Sequence, residues 1–338
     1  MLVYERRSMD IMNDRSKIQL WTYDLKTQQH LPLLADGNSY SAPSFSADGE
    51  RLAYLSAQDG KLQIFVRWME TSRTAKLSSL HSNPSNLTWS PDGQSIAFTM
   101  FTQTQATSLF TEMPKMPKDA NWAGTAKYID TTQYRSDGAG FNSPGFQQVY
   151  VISAEGGTPH QVTVDKFNHG GQLSWSTDSK ALYFSANRDE NWALLPYEST
   201  IYRVDVTTGK ISSVTDVTGP ESAPLISPNG KYIAYEWVND RKLSYQVNQI
   251  MLQALDSEKP ATSLTPALDR QIGSVQWAKN SKGLYFSYLD DSETKLAYVS
   301  VNGQIKKLPA RLGSQALGRP YTCLFYTTEA ADNEDNVE

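Results

Sequence analysis

One phrase recurs along the chain and limits what it can fold into. Ala42-Pro43-Ser44-Phe45-Ser46-Ala47-Asp48-Gly49, Leu87-Thr88-Trp89-Ser90-Pro91-Asp92-Gly93, Leu173-Ser174-Trp175-Ser176-Thr177-Asp178-Ser179 and Ala223-Pro224-Leu225-Ile226-Ser227-Pro228-Asn229-Gly230 share a plan, and Val275-Gln276-Trp277-Ala278-Lys279-Asn280-Ser281 follows it more loosely. A short strand ends in a bulky apolar residue, then a polar turn reverses the chain. Pro fixes φ, Asp bonds its own backbone and Gly accepts positive φ. A second apolar strand follows each turn: Leu52-Ala53-Tyr54, Ile96-Ala97-Phe98, Leu182-Tyr183-Phe184, Ile233-Ala234-Tyr235 and Leu284-Tyr285-Phe286. Two more strand-like segments complete each unit, as in Gln63–Trp68 with Thr74–Leu77.

The marks Phe45, Trp89, Trp175, Ile226 and Trp277 are 44, 86, 51 and 51 residues apart. Repeats of about 40 to 50 residues with four short strands are the signature of β-propeller blades. A sheet this small cannot bury its own faces, so neighbours must cover them. The expected fold is all-β, a propeller of four-stranded antiparallel blades. Leu2–Tyr4, Ile18–Tyr23 and His30–Leu34 read as an opening blade without its innermost strand, and Tyr321–Tyr326 as one strand of a further unit. The count comes to seven blades, or six if the terminal pieces form one closing blade. Residues 1–328 make a single domain and residues 329–338 an acidic, frayed tail.

The 86-residue interval signals a long insertion in the blade after Trp89, over residues 101–146. Long structureless loops in compact domains are often functional. One reading is a lid or rim contact carrying Trp122, Tyr134 and Arg135. The other is an atypical blade, with Arg135 and Asp137 as a local surface pair. Arg can fork onto a carboxylate, and aromatic rings offer uncharged contact. Asp48, Gly49, Asp92, Gly93, Asp178, Asn229 and Gly230 are structural turn residues, because a calcium loop would need further acidic ligands.

The remaining composition mainly excludes functions. Of 338 residues, 31 are Lys or Arg and 36 Asp or Glu, a net charge of −5, which does not suit nucleic acid or an acidic membrane. The single cysteine, Cys323, forbids an intrachain disulfide and a four-cysteine zinc site. His30, His81, His160 and His169 lack metal-ligand spacing and read as solvated or locally bonded, the second and fourth in links before inner strands. Neither a Gly-x-Ser-x-Gly elbow nor a phosphate or dinucleotide fingerprint occurs. No metal or cofactor is expected. The opening residues do not form a signal peptide and no apolar run spans a membrane; this leaves the location unknown, with cytoplasm and periplasm both compatible.

Tyr134-Arg135-Ser136-Asp137-Gly138-Ala139-Gly140-Phe141, followed by Gln148–Thr163 with its Glu155-Gly156-Gly157-Thr158-Pro159-His160-Gln161-Val162-Thr163, resembles one blade and inserted arm of a known family. The opening Tyr4–Met12 with Trp21 resembles its first blade. The family is the prolyl-oligopeptidase-type (S9) serine peptidases, in the acylaminoacyl-peptidase and dipeptidyl-peptidase-like branch, whose propeller precedes an α/β-hydrolase domain. The resemblance implies an insertion between the second and third strands of one blade. It also implies a propeller that is not itself catalytic, but gates and selects short peptides for a C-terminal hydrolase domain absent from these residues. The paired glutamates that hold a peptide N-terminus in some relatives have no match. Two other readings are a stand-alone TolB-like propeller that binds a protein or peptide partner, and a propeller glycosidase or lyase with acids at its funnel.

Overall fold

A computed structural model describes residues 1–105, 114–123, 128–243, 245–257 and 259–314. Twenty-five strands and no helix occur among them. Sheet 1 holds β1 (Leu2–Asp10), β2 (Arg15–Tyr23) and β3 (His30–Leu34). Sheet 2 runs β4 (Tyr40–Phe45), β5 (Arg51–Ser56), β6 (Gln63–Trp68), β7 (Thr74–Lys76). Sheet 3 contains β8 (Pro84–Trp89) and β9 (Ser95–Gln103). The chain then makes a separate hairpin of β10 (Arg135–Ser136) and β11 (Gly140–Phe141), and returns to sheet 3 as β12 (Gly145–Ser153) and β13 (His160–Gln161). Sheet 4 is β14 (His169–Trp175), β15 (Ala181–Ala186), β16 (Thr200–Asp205), β17 (Ile211–Ser213). Sheet 5 is β18 (Glu221–Ile226), β19 (Tyr232–Trp237), β20 (Gln249–Ala254), β21 (Thr262–Ser263). Sheet 6 is β22 (Ile272–Trp277), β23 (Gly283–Asp290), β24 (Glu293–Ser300), β25 (Ile305–Ser314).

The molecule is a six-bladed β-propeller of mostly four-stranded antiparallel sheets. This corrects the preferred count of seven. That count gave a whole sheet to the single segment Tyr321–Tyr326, which lies outside the described residues together with the tail 329–338. Among the described residues sheet 1 has three strands and no innermost one, as its sequence predicts.

Burial follows the repeat. In each second strand the two outer residues of the apolar triplet face the preceding sheet and the middle one faces the next. Leu52 and Tyr54 pack toward sheet 1, whereas Ala53 joins the core shared with sheet 3. The alternation repeats around Ala97, Tyr183 and Ala234. Tyr285 holds the same position in sheet 6, yet it is 49% exposed. Five apolar cores join consecutive sheets from 1 to 6. The mark residues also stitch the inner strands: the indole Nε1 of Trp89, Trp175 and Trp277 donates to Ser44 O, Thr88 O and Leu225 O of the preceding sheet, at 2.9, 3.2 and 3.0 Å.

Strand order sets the two faces of the ring. Turns joining first to second and third to fourth strands emerge on one face, the turn face. Loops joining second to third strands, and the links from each sheet to the next, emerge on the opposite, loop face.

Candidate functional site: the loop face of the ring

The turn face satisfies itself. The hydroxyls of Ser46, Ser90, Ser176 and Ser227 donate to Asp48, Asp92, Asp178 and Asn229 two residues on. The same acceptors take the N–H of Glu50, Gln94, Lys180 and Lys231. Bonds from Ser46 and then Glu50 hold the Asp48 carboxyl below its ordinary value, and Ser176 and Lys180 do the same for Asp178. Gly49, Gly93 and Gly230 close their turns at φ of 76°, 68° and 70°.

The loop face differs. Ile11 and Met12, in the β1–β2 turn, are 90% and 87% exposed. Trp122, Tyr128, Ile129, Tyr134 and Phe141 are exposed on the insertion, Leu194, Leu195 and Tyr197 on the β15–β16 loop, and Leu243 and Tyr245 on the β19–β20 loop. Concentrated exposure of this kind marks interaction surfaces, whereas scattered apolar residues do not.

The insertion joins the second and third strands of sheet 3, as the resemblance implies. Its bounds are narrower than 101–146. Both flanking strands run nine residues and pair continuously from Gly145↔Gln103 to Ser153↔Ser95, so three additional pairs lift the arm off the ring. Gly145, at φ 149°, sits at the root of the arm, where a Cβ would stand 2.4 Å from Thr102 O; only glycine lets the returning strand pass.

The hairpin β10–β11 is held by Asn142. Its N–H donates to Tyr134 O at 2.9 Å, its Nδ2 donates to Gln133 O at 2.8 Å, and its Oδ1 accepts from Ser136 Oγ at 2.7 Å. Arg135 pairs across it with Phe141, while the Tyr134 and Phe141 rings lie 6.3 Å apart. The structure thus brings Tyr134, Arg135 and Asp137 onto one exposed hairpin. Trp122, 47% exposed, stands on the separate stretch 114–123. No ion pair joins Arg135 to Asp137 among the described residues. Arg135 lies on β10 and Asp137 in the turn that follows it.

The arm leans on its neighbour. Thr132 Oγ1 donates to Ala193 O at 3.4 Å and Phe146 meets Trp192 edge-on at 6.2 Å. The β15–β16 loop reaches the next one through Glu198 and Lys242, 3.7 Å apart. Three loops therefore form one crest across sheets 3, 4 and 5.

Beneath the crest lie two buried ionisable groups that spacing does not single out. His169 opens β14 rather than the link before it, and is fully buried. Thr163 Oγ1 donates to Gln148 Oε1, so His169 Nδ1 donates to Thr163 Oγ1 at 3.0 Å and Nε2 accepts from Arg188 Nη1 at 2.8 Å, which fixes one neutral tautomer. Burial, opposed by Asp165 and aided by Arg188, pushes His169 down to about 4. Glu221 opens β18, also fully buried. One carboxylate oxygen accepts from Ile201 N at 2.9 Å and from Thr215 Oγ1. The other carboxylate oxygen and the Tyr235 hydroxyl are both buried, and they act on each other at longer range than an ordinary hydrogen bond. Burial pushes Glu221 up to about 7. The pattern that could reveal both is positional: they occupy the first position of an inner strand, where sheet 6 has Ile272.

Among the described residues no three His, Cys, Asp or Glu side chains are grouped to hold a metal ion, and no helix is long and apolar enough to cross a membrane.

Residues 119–242 match the family model for the dipeptidyl peptidase IV (DPP IV) N-terminal region. The chain is 22% identical over 321 residues to dipeptidyl-peptidase 5 of Porphyromonas gingivalis, covering 90% of this chain and 46% of that protein. It is 27% identical over 323 residues to the uncharacterized peptidase YuxL of Bacillus subtilis, covering 91% and 48%. The chain thus spans about half the length of the curated relatives it matches. The acylaminoacyl peptidase of Pyrococcus horikoshii superposes with a TM-score of 0.67 at 14% identity, over 90% of this chain and 43% of that one.

Proposed function

From a chain that is a β-propeller related to the N-terminal domain of the S9, acylaminoacyl-peptidase superfamily, we infer a substrate- and partner-binding module of a serine peptidase. Its loop face meets an α/β-hydrolase domain and the short peptides admitted to it. The observation that carries this reading is the crest, where exposed aromatic and aliphatic side chains gather on the loops of sheets 3, 4 and 5 while the turn face bonds to itself.

The chemistry is recognition. Tyr134, Phe141 and Trp122 offer apolar area that gains free energy when covered, about 25 cal/mol per Å². Arg135 supplies a fork for a carboxylate, from the hydrolase domain or a peptide terminus. The chain contributes selection and the hydrolase domain contributes the nucleophile. A stand-alone partner-binding propeller would use the same face.

The test pairs two assays. The purified chain alone should leave acyl-aminoacyl and peptidyl chromogenic substrates intact, and should bind an acylaminoacyl-peptidase-type hydrolase domain through a surface that Arg135→Ala and Tyr134→Ala weaken at least tenfold. Turnover by the chain alone, or binding indifferent to both substitutions, would refute it.

A further inference from the structure

Between sheets 3 and 4, on the outer side of the ring, lies a cleft of about 510 Å³. One wall is β13 with the start of the link after it, residues 160–165. The other is the β16–β17 turn with Ile211, and Arg188, the second residue of the β15–β16 loop. None of the exposed crest side chains lines it. A cleft of this size suits a small ligand.

Arg188 is fixed in this cleft. Its Nη1 donates to Asp165 Oδ2 and to His169 Nε2, and His169 is itself buried and tied to Thr163. Its guanidinium carbon lies 5.0 Å from the Phe167 ring centre and 5.4 Å from that of Tyr202. A planar fork held in this way loses little freedom when it binds. Both hydrogen bonds use Nη1. The edge formed by Nε and Nη2, which meets a carboxylate through two parallel N–H bonds, takes no bond among the described residues. Neither nitrogen is buried without a partner, so this edge is open to solvent.

The rest of the cleft defines what carries the carboxylate. Val162, Val164 and Ile211 give it an aliphatic wall, and Val164 is 78% exposed. Covering such surface is favourable by about 25 cal/mol per Å². Asp165 is the one carboxylate among the lining residues, and Arg188 already pairs with it through Nη1. Lys166 and Lys210, each next to a lining residue, are exposed, so the approach carries positive charge.

We propose that this cleft binds a carboxylate carried on a short aliphatic body, as in an N-blocked branched amino acid or the free C-terminus of a peptide. The Nε–Nη2 edge of Arg188 forks onto the carboxylate, and Val162, Val164 and Ile211 cover the aliphatic part. The site lies between the outer strands of two sheets and its test needs no hydrolase domain, so it stands or falls independently of the functional reading.

Ligand-observed NMR titration of the purified chain tests it. N-acetyl-valine should bind saturably at millimolar concentration or below. N-acetyl-valinamide, which lacks the carboxylate, and acetate, which lacks the aliphatic body, should each bind at least about tenfold more weakly. A short peptide ending in valine, free or amidated at its C-terminus, separates the two sources. Tighter binding of the free peptide than of N-acetyl-valine assigns a peptide terminus, and equal binding assigns a small acid. Arg188→Lys should weaken N-acetyl-valine about tenfold, because an ammonium has no fork. That change also touches the His169 anchor, so Val164→Asp is the second variant: its side chain is exposed, the fold should survive, and the added charge should repel the ligand to a similar degree. Absence of saturation, equal binding of the acid and its amide, or a Val164→Asp variant that binds like the parent would each overturn the proposal.

Discussion

The two faces of the ring are built from the same repeat and end in opposite states. On the turn face the hydroxyls of Ser46, Ser90, Ser176 and Ser227, and the Asp or Asn side chains they bind, are matched within five residues, as in Ser90, Asp92 and Gln94. Bonds also run between neighbouring turns, from Asp92 N to Ser179 Oγ and from Asn229 N to Ser281 Oγ, both at 3.1 Å. On the loop face, Trp122, Tyr134, Phe141 and Tyr197 are left in water. Local satisfaction suits a face whose task is to hold sheets in place. Uncovered apolar area suits a face whose task is to be covered.

Changes inside or beneath the ring should therefore cost stability, and changes on the crest should cost binding. Two tryptophans give the widest contrast. Trp175→Ala removes a buried indole shared by sheets 3 and 4, and should lower unfolding free energy by about 3–5 kcal/mol in urea titration. Trp122→Ala should leave it within about 0.5 kcal/mol. Equal losses would erase the distinction.

The next effect is pH-dependent. Glu221 is raised to about 7, so it binds its proton more tightly folded than unfolded. Its stability contribution is complete below the ordinary glutamate value of 4.5 and is lost as pH rises through about 7. Glu221→Gln should then be more stable than the parent at pH 8 by on the order of 1–3 kcal/mol, with the gap closing below pH 4.5. His169, lowered to about 4, has the opposite sign: its contribution is present above 6.5 and is lost as pH falls toward 4. Thermal unfolding from pH 4 to 9 checks both, and a flat difference between parent and Glu221→Gln would contradict the first.

A smaller effect belongs to the turns. Asp92→Ala removes the acceptor of Ser90 Oγ and Gln94 N, and should cost about 1 kcal/mol without changing affinity for a hydrolase domain. Smallest in stability is Arg135→Ala, within about 0.5 kcal/mol, because the side chain is exposed on the hairpin. Calorimetric titration of both variants compares the faces directly.

Much of this architecture is legible in sequence because a blade repeats its chemistry. The marks Phe45 to Trp277 and the triplets after them fix the strand pairs, and Tyr134–Phe141 locates the arm. What a single blade cannot encode is its place in the ring. Tyr183 and Tyr285 occupy equivalent positions, yet one is buried by the next sheet and the other is half in water. The preferred count of seven gave way to six for the same reason, since one strand does not say which sheet it joins. The arm began later than expected because β9 and β12 continue for a full nine residues. His169 and Glu221 stayed hidden because their burial depends on neighbouring sheets rather than on adjacent residues.

The central claim is that the loop face is the binding face. Deuterium exchange of the chain, with and without an acylaminoacyl-peptidase-type hydrolase domain, tests it most directly. The account predicts slowed exchange in residues 128–145, 187–199 and 238–243, with the turns at Asp48, Asp92, Asp178 and Asn229 unchanged. Slowing at those turns while the crest stays unchanged would contradict it.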